Sequence, residues 1–293
     1  SYKATESDVE EAIAAAVAAF EKTKELSSYE RSAILNNIKN GLEKRIREVA
    51  EIMAMEAGKP LKYSMLEVER SIFDFTIAAE ETKRIGGETI PLDILNGIKN
   101  TFAINKHFPL GPIFGITPFN FPLNLVSHKV APALAAGNSI IIKPASSTPI
   151  TALVLGEIVM ESGLPKGAFS VMPMSSTLGE KMVKDERFKM VSFTGSPKVG
   201  WHLKEIAGKK KVTLELGGNA GAIVDNDADL DYAAERCCYG GFVFSGQTCI
   251  SLQRLFVHED VYNDFVPKFV NRVKEIKIGN PMDESTMMGP MIQ

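Results

Sequence analysis

Residues 111–146 read GPIFGITPFNFPLNLVSHKVAPALAAGNSIIIKPAS, and the reading of this stretch decides the fold. An apolar run, GPIFGITPF, passes into a segment of helical period over 123–136 and then into a second apolar run, SIIIKPA. The same alternation continues downstream, where FSVMPM and MVSFTG alternate with helix-like segments at 152–162, 177–185 and 197–207. Strands alternating with helices imply an α/β fold with a parallel sheet and helices on its faces. Ligands of such sheets bind beyond the carboxyl ends of the strands. The polar and glycine residues fall at those ends, at 117–120, 143–146 and 194–196.

Upstream the pattern is helical. Thr5-Glu6-Ser7-Asp8 can cap a helix with Val9, Ile13, Val17 and Phe20 on one stripe. A second helix over 28–56 carries Ile34, Leu35, Ile38 and Leu42 and ends at Gly58-Lys59-Pro60. A third, over 62–85, has the acidic residues Glu67, Glu69, Glu80 and Glu81 interspersed and stops at Gly86-Gly87. Asn96-Gly97 between apolar residues predicts a hairpin, an element suited to pairing with another subunit or covering a sheet edge. After Glu215 come a short strand AGAIV, a helix from about Asp229, a loop with Cys249, a strand LQRLFVH and a helix over 261–273.

Apolar residues make up 45% of the 293 and charged residues 24%, the balance of a globular protein. A net charge of −3 offers nothing to nucleic acid or an anionic membrane. No basic leader precedes an apolar segment and no apolar run approaches a membrane span, so a cytoplasmic setting is expected. Three cysteines outside any metal-ligand spacing argue against a disulfide framework and a zinc site, and the four histidines are scattered singly.

The chemistry concentrates between Lys211 and Ser251. Glu215 ends an apolar run, and Cys249 lies in SGQTCIS, a loop of small and polar residues with Gly246 to let the backbone turn. Thiolate catalysis needs a partly exposed soft nucleophile, a group that manages protons, and donors for a developing oxyanion. Cys237 and Cys238 stand in a helix-like run and read as core. Several other residues each admit two readings. FTGSPKVG could hold a phosphate on backbone N–H groups at a helix start, or could be an ordinary capped helix. Lys143 could snorkel to water from a buried strand or reach a nucleotide's ribose or phosphate. Asn120, fixed between two Phe-Pro pairs, could bond the backbone of its turn or donate to an oxyanion. Glu215 could be a strand-end carboxylate facing water or a catalytic base.

Taken together, PFNFP, IIIKPAS, FTGS followed by VG, LELGGN and GQTCIS, with EAGKPL and GGETIP upstream, resemble the aldehyde dehydrogenase superfamily in order and spacing over essentially the whole chain. The resemblance is to the hydrolytic branch. It implies oxidation of an aldehyde to a carboxylate through a cysteine thiohemiacetal and thioester, with hydride transfer to NAD or NADP. Cys249 is similar to the family's nucleophile, Glu215 to the base that activates water, and Asn120 to the side-chain donor of the oxyanion hole, completed by the Cys249 N–H. Lys143 resembles the residue that binds the adenosine ribose. Thr194, Gly195 and Ser196 resemble the pyrophosphate loop, while Thr117, Pro118, Phe119, Leu216 and Gly217 resemble further cofactor contacts. Ser146 stands where NAD-preferring members carry a glutamate, so NADP is expected to be accepted alongside NAD.

The resemblance also implies a Rossmann-like cofactor domain with N-terminal helices at 1–93 and 109–216. An oligomerisation hairpin would occupy 94–108, and the N-terminal part of an α/β catalytic domain 217–293. Family members continue past this point, so the chain is expected to be C-terminally truncated, and inactive by itself if the absent part is essential. A small polar aldehyde such as lactaldehyde or a semialdehyde is the expected substrate, and a homodimer or homotetramer the expected assembly when complete. An acylating enzyme using coenzyme A is one alternative, disfavoured by Glu215. A nucleotide-binding fragment without catalysis is the other.

Overall fold

The computed structural model describes residues 3–293. Helix α1 (Glu6–Thr23) starts in a capping box, in which Thr5 accepts from the Asp8 N–H and Asp8 accepts from the Thr5 N–H. Its buried stripe is Val9, Ile13, Ala16 and Ala19, and Val17, expected on that stripe, is exposed. The small alanines let the helix lie close to the sheet, where Ser139 donates to the Ala16 carbonyl at 2.8 Å.

The segment 28–56 is two helices rather than the expected one. α2 (Ser28–Lys44) and α3 (Ile46–Ala57) are separated by Arg45, whose φ of −113° and ψ of 15° are not helical. Its guanidinium bonds Glu48 on one side and Glu157 on the other, which holds the break in place. Ile34, Leu35, Ile38 and Leu42 are all buried. α3 ends at Gly58 in the left-handed region, φ 67°, where a side chain would also meet Pro290. α4 (Leu61–Glu81) follows. Its Glu67, one of the interspersed acidic residues, is buried and paired with Lys59.

Strands β1 (Gly87–Pro91) and β2 (Phe102–Lys106) pair antiparallel, Gly87 opposite Lys106. The connection carries the expected Asn96-Gly97 turn, with Gly97 at φ 92°. The ladder therefore starts upstream of the expected 94–108, in GETIP. Both strands are mostly exposed, and Ile90, Phe102 and Ile104 face solvent.

The main sheet contains β3 (Ile113–Ile116), β4 (Ile140–Lys143), β5 (Phe169–Val171), β6 (Met190–Thr194) and β7 (Lys211–Glu215), all parallel, in the order β5-β4-β3-β6-β7. The connecting helices are α5 (Asn124–Ala135), α6 (Ile150–Met160), α7 (Ser176–Lys184) and α8 (Pro197–Ile206). One core packs α2 to α6 on the sheet; a second joins α1, α7 and α8 around Phe114, Ile141 and Phe193. From β3 the chain moves outward one way, and from β6 the other. The crevice beyond the carboxyl ends of β3 and β6 is thus the topological switch point, the place where such sheets take ligands.

A smaller lobe follows: β8 (Ala220–Val224), α9 (Leu230–Phe242), β9 (Leu252–Val257) and α10 (Glu259–Lys274), with β8 and β9 parallel. Its core is limited to Val224, Ala234, Cys237 and Phe265 with partly buried neighbours. Cys237 and Cys238 are buried, as expected, and burial pushes both thiols up. Among the described residues no helix is long and apolar enough to cross a membrane.

Candidate active site

The strand ends at the switch point carry polar groups that the fold leaves without partners. Beyond β3, the Thr117 N–H donates to the Lys143 carbonyl at 3.1 Å, tying the ends of β3 and β4 together. Thr117 is buried and its hydroxyl oxygen has no partner among the described residues. Pro118 and Phe119 follow, both half-buried. Lys143, also half-buried, makes no ion pair among the described residues, and burial holds its ammonium below the ordinary lysine range. Its stem lies against Gly179 of α7, where a Cβ would come within 3.1 Å of Lys143 Cδ. Ser146 is exposed just beyond.

At the end of β6, Thr194 is buried, Gly195 turns the chain and Ser196 precedes α8. Pro197 begins that helix, and Ser196 makes no side-chain capping bond, so the N–H groups of the first turn remain open to an anion. A Cβ on Gly195 would lie 2.6 Å from the Phe193 ring, so the close turn requires glycine. An open helix start, an unpaired lysine and an orphaned buried hydroxyl at one switch point suit the phosphate and hydroxyls of a dinucleotide.

The neighbouring strand end supplies the reacting groups. Glu215 is exposed at the end of β7, with Leu216 half-buried and Gly217 exposed after it. A Cβ on the following Gly218 would stand 2.6 Å from the Cys249 carbonyl oxygen, so this loop and the Cys249 loop are in contact and glycine is required there. Glu215, Leu216, Thr194 and the exposed Cys249 all line a cleft of about 820 Å³ between α4, α5 and the ends of β6 and β7.

The Cys249 loop is held in an unusual backbone. Phe244, Ser245 and Gly246 have φ of 50°, 58° and 70°, three left-handed residues in succession. The two that are not glycine each cost roughly 1–2 kcal/mol in that conformation. The buried Phe244 ring secures the turn, as do Ser245 Oγ donating to the Gly289 carbonyl at 3.0 Å and the Ile292 N–H donating to Gln247 Oε1 at 3.1 Å. Beyond it the Cys249 N–H has no acceptor among the described residues. Asn120 Nδ2 donates to the Gln247 carbonyl at 2.8 Å, which anchors the amide to the nucleophile's loop. The amide's second N–H remains available.

Two cleft residues escape the sequence reading. Lys129 on α5 is buried, with Nζ donating to Thr194 Oγ1 at 2.7 Å and Ser192 Oγ at 3.2 Å. Its signal was a lysine on the apolar face of a helix, three residues after Val126 and four before Ala133. Arg70 on α4 lines the same cleft, exposed and without an ion pair among the described residues. Nothing local distinguishes it from a solvated surface arginine.

Burial lowers the Lys129 ammonium to about 8 from the ordinary 10.5, with the nearby Glu215 carboxylate opposing the shift. Between these values the unfolded chain binds more protons than the folded one, so stability rises with pH across that window. Lys129→Met should remove this rise, worth at most roughly 3 kcal/mol. Urea unfolding at pH 7.5 and pH 10 checks it; an unchanged difference between the two in the variant would exclude the assignment.

The sequence profile described as "Aldehyde dehydrogenase family" matches residues 1–293. Among curated relatives, 3-sulfolactaldehyde dehydrogenase of Priestia megaterium is 45% identical over 291 residues, 99% of this chain and 61% of that protein. Lactaldehyde dehydrogenase of Methanocaldococcus jannaschii is 39% identical over 290 residues, 97% and 61% respectively. Among solved structures, aldehyde dehydrogenase 21 of Physcomitrella patens with the product succinate superposes with a TM-score of 0.96 at 49% identity, covering 99% of this chain and 61% of that one. Glyceraldehyde-3-phosphate dehydrogenase of Methanocaldococcus jannaschii, complexed with NADP, gives 0.95 at 38%, covering 100% and 64%. The chain spans about three-fifths of the length of these curated relatives. With the profile matched from end to end, and a fold that superposes on a known member over nearly the whole chain, the chain belongs to the aldehyde dehydrogenase family.

Proposed function

We propose that the chain forms the cofactor-binding part and the nucleophile-bearing part of an enzyme oxidising a small polar aldehyde to its carboxylate. The observation that carries this reading is that Cys249 and Glu215 line one cleft while the Asn120 amide is anchored to the cysteine's own loop. NAD or NADP would be held by Thr117, Lys143 and the open start of α8, with Pro118, Phe119, Leu216 and Gly217 bordering its path, and would supply the acceptor for the hydride that the aldehyde carbon gives up. Exposed Ser146 brings no negative charge to that site, which supports acceptance of NADP alongside NAD.

Cys249 as thiolate attacks the aldehyde carbon. The resulting oxyanion accepts from the free Asn120 N–H and from the Cys249 N–H. Loss of hydride from this adduct leaves a thioester on Cys249, and Glu215 deprotonates the water that hydrolyses it. The carboxylate in the cleft favours water over coenzyme A as acyl acceptor. Residues 1–93 and 109–216 thus serve the cofactor and 217–293 begin the catalytic domain. The 94–108 ribbon, whose Ile104 and Phe102 face solvent, pairs with a second copy in a dimer or tetramer.

The unpaired Arg70 favours an aldehyde that carries an anionic group at its far end, a property shared by the sulfolactaldehyde and glyceraldehyde 3-phosphate named for two relatives. The test is reduction of NAD and NADP by the full-length protein with sulfonate-, carboxylate- and phosphate-bearing aldehydes beside propanal. Arg70→Ala should raise KM for the anionic aldehydes by roughly 10- to 100-fold, the worth of a charge-assisted hydrogen bond, and leave propanal unchanged. No reduction with any aldehyde would sink the functional reading. Equal loss for propanal would sink the role of Arg70.

A further inference from the structure

Lys59 is a buried cation that the catalytic steps above do not use. It follows the left-handed Gly58, is only 2% exposed, and faces Glu67, only 1% exposed, in a direct ion pair. The ammonium also donates to the Asn120 carbonyl at 3.1 Å and lies 3.6 Å from the centre of the Phe121 ring and 4.7 Å from that of Phe244. The other oxygen of Glu67 accepts the Leu123 and Asn124 N–H groups, both at 3.0 Å, at the start of α5. One buried pair therefore touches three points of the Asn120 segment and, through Phe244, the left-handed turn that carries Cys249.

A buried ion pair is a poor source of stability, because removing two charges from water costs about as much as their attraction returns. Well-packed apolar residues would fill the same space as effectively. What they could not do is hold a backbone carbonyl and two aromatic rings around one point. The Asn120 amide then bridges to Gln247, closing a ring of contacts between the two loops.

We propose that Lys59 and Glu67 are positioning residues that set the oxyanion donor Asn120 at a fixed place relative to Cys249. The ammonium fixes the Asn120 main chain and the Phe121 and Phe244 rings, and Glu67 fixes the ammonium and the α5 start. This rests on the reading of Asn120 as donor given above. Neither residue touches the reacting atoms, so their effect passes through Asn120.

The experiment is a mutant cycle in the full-length protein. Lys59→Met with Glu67→Gln removes both charges at near-constant volume and leaves an acceptor at 67 for the two α5 N–H groups. In the parent background the pair of changes should lower kcat roughly 10- to 100-fold, at most the lower end of the loss that removing an oxyanion donor outright brings, while KM for NADP and NAD stays within about twofold. The deuterium isotope effect with 1-deuterated aldehyde should rise toward its intrinsic value as hydride loss becomes slow. In an Asn120→Ala background the same changes should cost less than about threefold, because residues acting through one group are not additive. Multiplying losses in the two backgrounds, or an unchanged kcat, would overturn the proposal. Should the double variant not fold, Phe121→Leu removes one ring from the ammonium and leaves the ion pair. It should show a smaller loss of kcat with the same dependence on Asn120, and an independent loss would overturn the proposal equally. A folded parent that oxidises no aldehyde fails in a different way: it refutes the functional reading, and the positioning role with it.

Discussion

In the full-length protein Cys249→Ser should lower kcat for the proposed aldehyde oxidation by at least about a thousandfold, the scale of losing the nucleophile in covalent catalysis. A serine hydroxyl is nearly isosteric with the thiol but is scarcely ionised near neutral pH, and a carboxylate such as Glu215 in the same cleft is too weak a base to hold it as an alkoxide. The thiol is exposed, so the exchange removes little packing, and folding stability should move by less than about 0.5 kcal/mol. Binding of NADP and NAD, assigned to the ends of β3, β4 and β6, should be unchanged. Steady-state turnover, denaturant unfolding and cofactor titration together check this. Retained turnover would remove Cys249 from the mechanism, and lost cofactor binding would mean that the loop shapes the nucleotide site.

In the full-length protein Glu215→Gln should separate the two halves of the proposed reaction. With the thiol intact, the first turnover still forms the thioester and releases one equivalent of NAD(P)H as a burst. Hydrolysis then stalls for want of a base, and the steady rate should fall by roughly 100- to 10,000-fold. Glu215 is exposed at the end of an edge strand, so glutamine should be accommodated without strain. Hydroxylamine, which attacks thioesters without help from a base, should restore turnover. Rapid-mixing absorbance at the reduced cofactor's band distinguishes the outcomes. Loss of the burst itself would place Glu215 in thiol activation, and an unaltered steady rate would assign water activation elsewhere.

The sheet was legible because its strands and helices carry their periods locally: three isoleucines before Lys143, and glycine or proline at nearly every boundary. The break at Arg45 was not, since no glycine or proline marks it and the interruption depends on Glu157, more than a hundred residues away. The site divides the same way. Cys249, Glu215 and Asn120 stand in short motifs that can be recognised in one dimension. Lys129, Arg70 and the Lys59–Glu67 pair look like ordinary charges on helices, because what distinguishes them is enclosure by segments distant in sequence. Glu67 shows this most clearly, since its neighbour Glu69 on the same helix is exposed.

The smaller lobe has a consequence for this chain handled by itself. Among the described residues β8 and β9 pair only with each other, the buried core of the lobe is a handful of residues, and Ile223 and Phe256 are exposed. Local openings concentrate where buried contacts are few. Cys249 stands between α9 and β9, yet its loop is tied to the larger body through Asn120 and Phe244. In the chain by itself the amides of β8 and β9 will exchange with deuterium ahead of those in β3 and β6, and warming will loosen these two strands before it loosens the nucleophile's loop.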